Sequence, residues 1–146
     1  MAFLPKQSVV VSTDFSDGSV DAIRLAREFV ATDAALHIVH VLLPLDNLSP
    51  ASIWGTLDES KRLESTKQYF AEYITKNQLG GVHIETRVGD PGWEIAEYAR
   101  AVKADLIIVP SHGYHGLKRV LLGSVAEHVI RHADCPVLVL RRPDAE

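Results

Sequence analysis

The residues best placed for chemistry lie between Val109 and Ser124, and they are backbone-rich rather than acid–base in kind. Gly113 and Gly116 let main chain approach a ligand closely and tolerate positive φ angles. Gly123-Ser124 opens a helix. A helix start presents free N–H groups and a partial positive charge, which suits a phosphate. The Ser124 hydroxyl adds a donor, and His112 can hydrogen-bond a phosphate from the loop. Together they resemble an anion cradle made of main chain. The plainer reading has the glycines as loop punctuation and Ser124 as a helix cap, and spacing alone does not separate the two.

Other reactive groups point to less. His128 and His132 stand one helical turn apart, and His112 and His115 share the loop, but no adjacent carboxylate or cysteine completes a metal site and His-Glu-x-x-His is absent. Lys118 and Arg119 read either as charge beside a phosphate or as a solvated face. Cys135 has no activating base beside it, so it reads as a packing residue. Trp54 either covers a ligand or packs its own loop. No pair of acidic residues stands out for hydrolysis. No Gly-x-x-x-x-Gly-Lys-Ser loop is present, and the Ser-Gly-Gly-x-Asp-Ser turn of nucleotide-activating enzymes is replaced by Ser12-Thr13-Asp14-Phe15-Ser16-Asp17. The chain therefore reads as a binding protein rather than an enzyme.

The elements that position these residues alternate. Val9-Val10-Val11 is a β-branched run that suits a strand buried on both faces. Ser16 and Asp17 can each cap the helix that follows, whose apolar stripe is Val20, Ile23, Arg27 and Val30, widened by Ala22, Leu25, Ala26 and Phe29. Leu36 to Leu42 is a second strand. A Pro-, Asn-, Ser- and Gly-bearing loop follows from Pro44 to Gly55. A long helix is expected from Leu57 to Gln78, with Leu63, Phe70 and Ile74 buried and Gly80-Gly81 stopping it. Val82 to Val88 alternates, as a strand near a sheet edge does. Asp90 caps the next helix, Pro91 takes its first position, and Trp93, Ala96, Ala99 and Val102 form its stripe. Leu106 to Val109 is apolar and central. A helix over Ser124–His132 and a strand over Val137–Leu140 close the chain. Such alternation builds a parallel sheet with helices on both faces, an α/β, Rossmann-like architecture. Ligands then sit outside the carboxyl ends of the strands, where Thr13–Gly18, His40–Pro44 and Val109–Gly116 fall.

The 146 residues suit one domain with a core of its own. The net charge of -4 argues against nucleic-acid binding through bulk electrostatics. One cysteine suits a reducing, cytoplasmic setting. The start lacks a signal-peptide pattern, and no apolar stretch reaches the ~20 residues that cross a bilayer.

Three blocks of sequence resemble the universal stress proteins: Asp105-Leu106-Ile107-Ile108-Val109-Pro110-Ser111-His112-Gly113; then, nine residues on, Gly123-Ser124-Val125-Ala126-Glu127; then Asp134-Cys135-Pro136-Val137-Leu138-Val139. Val10 to Ser16, His40-Val41 and Val88-Gly89-Asp90-Pro91 extend the likeness over nearly the whole chain. The resemblance implies a five-stranded parallel sheet in the order 3-2-1-4-5. It also implies a homodimer paired through Val137, Leu138, Val139 and Leu140, with a protein partner left unidentified. ATP-binding members carry Gly, two residues, Gly, nine residues, then Gly-Ser or Gly-Thr. Gly113 and Gly123-Ser124 match, whereas Pro110 occupies the first glycine's place and offers no N–H to a phosphate. The implied ligand is ATP or AMP, alone or with Mg. Asp14 would lie near ribose, phosphates or the metal ion, the Val41 backbone would meet adenine, and the Val125 amide would meet phosphate. Apart from the resemblance, Asp14 reads as a turn residue, Val41 as core and Val125 as helix packing. A dimeric interaction protein of the same fold, without nucleotide, is the alternative.

Overall fold

The computed structural model describes residues 2–45, 59–111 and 122–141. Strand β1 (Val9–Ser12) is followed by α1 (Asp17–Arg27), a short 3-10 turn (Asp33–Ala35) and β2 (Leu36–Leu42). Then come α2 (Glu59–Lys76), β3 (His83–Val88), α3 (Pro91–Ala101), β4 (Leu106–Pro110), α4 (Ser124–His132) and β5 (Val137–Leu140). The strands form one sheet, β3-β2-β1-β4-β5, and every neighbouring pair is parallel. This is the order the family resemblance implied. The direction of winding reverses between β1 and β4, so a crevice opens at the carboxyl ends of those two strands.

Alternating side chains divide the core between the two faces of the sheet. Val9, Val11, Leu36, Ile38 and Ile108 pack with Ile23 of α1 and Phe70 and Tyr73 of α2. Val10, Val39, Ile107 and Val109 pack with Ile95 and Tyr98 of α3 and Ala126 and Val129 of α4. Val9, Val10 and Val11 are wholly buried, worth roughly 1.5–3 kcal/mol each. β3 lies at an edge, which accounts for its alternating pattern. A row of neighbour-facing backbone groups fixes the register: Val9, Val10, Val11 and Ser12 pair with Leu36, His37, Ile38 and Val39.

Several local expectations are corrected. α1 stops at Arg27, and Val30 instead forms a parallel bridge with Lys6 beyond the helix. In α2 the buried positions are Phe70 and Tyr73, while Leu63 and Ile74 are half-buried. That helix is not stopped by Gly80. Gln78 adopts φ 57°, its N–H bonds the Thr75 carbonyl, and the Leu79 N–H reaches back to Ile74. α3 ends the same way: Lys103 has φ 54°, and Ala104 N–H bonds Ala99. Both ends are Schellman closures built without glycine, each followed by an apolar residue. Trp93 lies on the outer side of α3, nearly half exposed, because the stripe facing the sheet runs through Ile95, Ala96 and Ala99 with Gly92 and Tyr98. Asp90 caps α3 as expected, accepting from Trp93 N–H at 2.9 Å.

Among the described residues, no helix is long and apolar enough to cross a membrane.

Candidate functional site

The β1–α1 turn is held by its own side chains. Thr13 N–H extends the ladder to the Val39 carbonyl at 2.9 Å. Asp14 Oδ1 then accepts from the Ser16 N–H at 3.0 Å and from the Ser19 hydroxyl at 2.6 Å. Ser16 caps α1 by accepting from Ser19 N–H at 3.2 Å. Burial works to raise the Asp14 carboxyl's pKa, but the Ser16 and Ser19 hydroxyls and the turn's amides outweigh it and hold the group below its ordinary value. Asp14 is therefore a carboxylate at neutral pH.

Phe15 sits at φ 66°, a conformation a bulky side chain seldom adopts. Aromatic packing holds it there: its ring lies 4.3 Å from His40 and about 5 Å from Tyr69, Phe70 and Tyr73. His40 Nδ1 is 2.7 Å from the Thr13 carbonyl oxygen. A carbonyl only accepts, so the Nδ1 carries the proton. Burial lowers the imidazole's pKa, opposed by the Thr13 carbonyl and Asp14 and assisted by the Arg62 charge. Burial thus favours the neutral ring.

α4 begins differently. Its N-cap, Gly123, has φ -63° and ψ 151° and no side chain to turn back on the helix. The Gly123 amide is already committed to the Ser111 carbonyl, and its carbonyl takes the Glu127 N–H at 2.9 Å. Helix geometry leaves the amides of Ser124, Val125 and Ala126 without an intrahelical acceptor. Gly123 thus caps the helix without a side chain, and the residues after it supply the donors.

These parts meet at one cavity of about 400 Å³ at the carboxyl edge. Asp14, Val41, Pro110, Gly123, Ser124 and Val125, all singled out in the sequence, line it together. His112, Gly113 and Gly116 lie outside the described residues, as do Trp54, His115, Lys118 and Arg119. The structure adds Thr13, His40, Leu43, Arg62 and Ile95 to the wall. His40 and Leu43 fall within a segment that topology already marked. Ile95 follows from the apolar stripe of α3. Arg62 had no signal, because a charged residue near a helix start reads as solvated surface. Val39, Val41, Leu43 and Ile95 bring apolar groups to the lining, and Asp14, Arg62 and the start of α4 bring charged side chains and amides. Such a wall suits a flat aromatic ring joined to an anion.

The remaining candidates resolve separately. Asp90, the α3 cap, takes His128 Nδ1 at 3.0 Å, a partner 38 residues away that sequence adjacency did not offer. Its pKa is lowered by the Trp93 amide and, against some burial, by His128. The His128 and His132 rings meet edge-on at 4.9 Å. Among the described residues no group of three His, Cys, Asp or Glu is placed to hold a metal ion. Cys135 packs into the α3/α4 core, and burial, with Asp105 and Asp134 nearby, pushes its thiol's pKa up. That is the reverse of what a nucleophile needs.

Comparison with known proteins is consistent in direction. A sequence model of the universal stress protein family matches residues 6–141. The chain is similar to universal stress protein MJ0531 of Methanocaldococcus jannaschii, 38% identical over 150 residues, covering 96% of this chain and 85% of that protein. It is similar to the solved structure of MJ0577 with a TM-score of 0.74 and 29% identity, covering 95% of this chain and 99% of that one. It is also similar to a universal stress protein solved in complex with cAMP, with a TM-score of 0.61 and 29% identity over 93% of this chain and 97% of that one.

Proposed function

The chain belongs to the universal stress protein family, and we propose that it serves there as a dimeric adenine-nucleotide-binding module. The observation that carries this reading is convergence: six residues from four separate segments line one cavity whose wall includes the unfinished start of α4. Adenine lies against the Val41 and Ile95 wall. Phosphate takes the amides of Ser124 and Val125 and the Ser124 hydroxyl. Asp14, anionic and fixed by its turn, faces the ribose or the magnesium ion that accompanies a triphosphate. The relative bound to cAMP supports an adenine ring as the recognised group. Pro110 lines the same cavity but brings no N–H, so the main-chain phosphate contacts come from the helix side. The reading is one of binding rather than turnover, with ATP hydrolysis slow.

β5 lies at the sheet's edge, and its four residues are each only half-buried. An edge strand offers unpaired backbone groups to another strand. Pairing of Val137–Leu140 with the same segment of a second copy is the dimer this reading adopts, and light scattering giving twice the chain mass is its check.

Calorimetric titration with ATP and AMP tests the ligand. Saturable binding in the micromolar range supports the reading. No heat at millimolar nucleotide removes it and leaves the dimeric interaction protein, for which Pro110 marks the lost contact.

A further inference from the structure

We propose that Arg62 is a cationic arm of this cavity, a guanidinium that turns onto the ligand's phosphate and makes the site select phosphorylated over unphosphorylated adenosine. The inference rests on the nucleotide reading above and goes further by naming the group that supplies positive charge.

The first observation is an unsatisfied nitrogen. Arg62 lines the cavity, and its Nη1 is buried with no hydrogen-bond partner among the described residues. A buried charged donor left unpaired costs about 1–3 kcal/mol or more. Proteins rarely keep one unless something else completes it. The second observation is placement. α2 packs on one face of the sheet and α4 on the other. Arg62 therefore reaches the cavity from the face opposite the amides of Ser124 and Val125. The third is the company it keeps. It shares the lining with His40, whose imidazole pKa burial lowers. The carboxylate of Asp14 is engaged by Ser16 and Ser19. Arg62 thus brings positive charge to a wall where the nearby acid already has partners.

Pro110 gives this arm a reason. It removes one amide donor from the cavity's rim. A guanidinium replaces a lost amide well, because its planar fork places two N–H groups on two phosphate oxygens. Leaving its buried position satisfies the orphaned Nη1 at the same time.

The test is calorimetric titration of the full chain, Arg62→Gln and Arg62→Lys with adenosine, AMP and ATP. A charge-assisted contact of this kind corresponds to roughly a 10- to 100-fold change in affinity. Arg62→Gln is expected to weaken AMP and ATP by that factor and to leave adenosine within about twofold. Arg62→Lys, which keeps charge and loses the fork, is expected to recover part of the loss, and it serves alone where Arg62→Gln does not melt like the parent. Unchanged AMP and ATP affinity in both variants overturns the arm and leaves the nucleotide reading standing. Equal losses for adenosine also overturn it, by showing a shape role. A parent chain that binds none of the three ligands overturns the nucleotide reading itself, and the arm with it.

Discussion

Helices α1 and α4 both start at the carboxyl edge of the sheet, yet their first turns are finished in opposite ways. At α1, Ser16 accepts the Ser19 N–H, and Asp14 and Ser19 lock the turn before it. At α4, the N-cap is Gly123, no side chain folds back, and the cap's own amide goes to Ser111. The same helix dipole is therefore answered from within at one start and left for a visitor at the other. The proposed nucleotide site is defined by what the sequence withholds, as much as by what it supplies.

The largest effect should come from erasing that difference. Gly123→Asp gives α4 an internal cap and a negative charge where phosphate belongs. Nucleotide affinity is expected to fall at least ~100-fold, about 2.7 kcal/mol, with folding stability within a few tenths of a kcal/mol of the parent, since glycine and aspartate differ little as caps. Titration and thermal melting on one preparation check both halves, and a proportional fall in stability would place the loss in the fold instead.

Next is the spacing that sets α4 in position. A Cβ at Gly92 would collide with the His128 side chain, so α3 lays bare backbone directly against that residue of α4. Gly92→Ala should cost about 1–3 kcal/mol and weaken nucleotide by displacing the start of α4. Chemical denaturation reads the first, and an undisturbed midpoint would show that the helices part easily.

Opening the closed start has a smaller effect. Ser16→Ala should cost about 1 kcal/mol of stability and change nucleotide affinity far less than Gly123→Asp does. If it abolished binding with stability intact, α1 would be the ligand's helix and the contrast would be reversed.

The smallest effect is pH dependence at the neighbouring strand. Burial lowers the pKa of His40, and burial together with His83 lowers that of His37. The unfolded chain then takes up protons first as the solution is acidified. Stability from these rings is whole above about pH 6.5 and is lost as pH falls below it. Melting temperature followed from pH 7.5 to 5 should decline, with His40→Gln flattening the slope.

How far these features were legible depended on how local they are. The parallel sheet followed from the alternation of elements, and its strand order from the family resemblance that the carboxyl-terminal blocks carry. The cap at Asp90 and the proline after it followed from adjacent residue types. Ser124 was legible from the Gly-Ser pair that opens a helix, whereas Asp14, Val41 and Val125 came from the family resemblance, because on their own they read as turn, core and helix packing. The stops at Gln78 and Lys103 were not legible, because left-handed conformations there are imposed by the packing of Leu79 and Ala104 rather than by a glycine. Trp93 misled, since a large apolar residue was read as core when the stripe fell on its neighbours. The Asp90–His128 pair and the Arg62 wall joined segments far apart in sequence, and no spacing rule reaches across a crossover.

The most direct measurement is amide NMR of the 15N-labelled chain as AMP is added. The account predicts that the Ser124 and Val125 N–H resonances shift most, with Asp14 following and the Ser19 and Trp93 amides, already held by Ser16 and Asp90, nearly still. Shifts confined to Ser19 or Trp93, or no shift at saturating nucleotide, would contradict it.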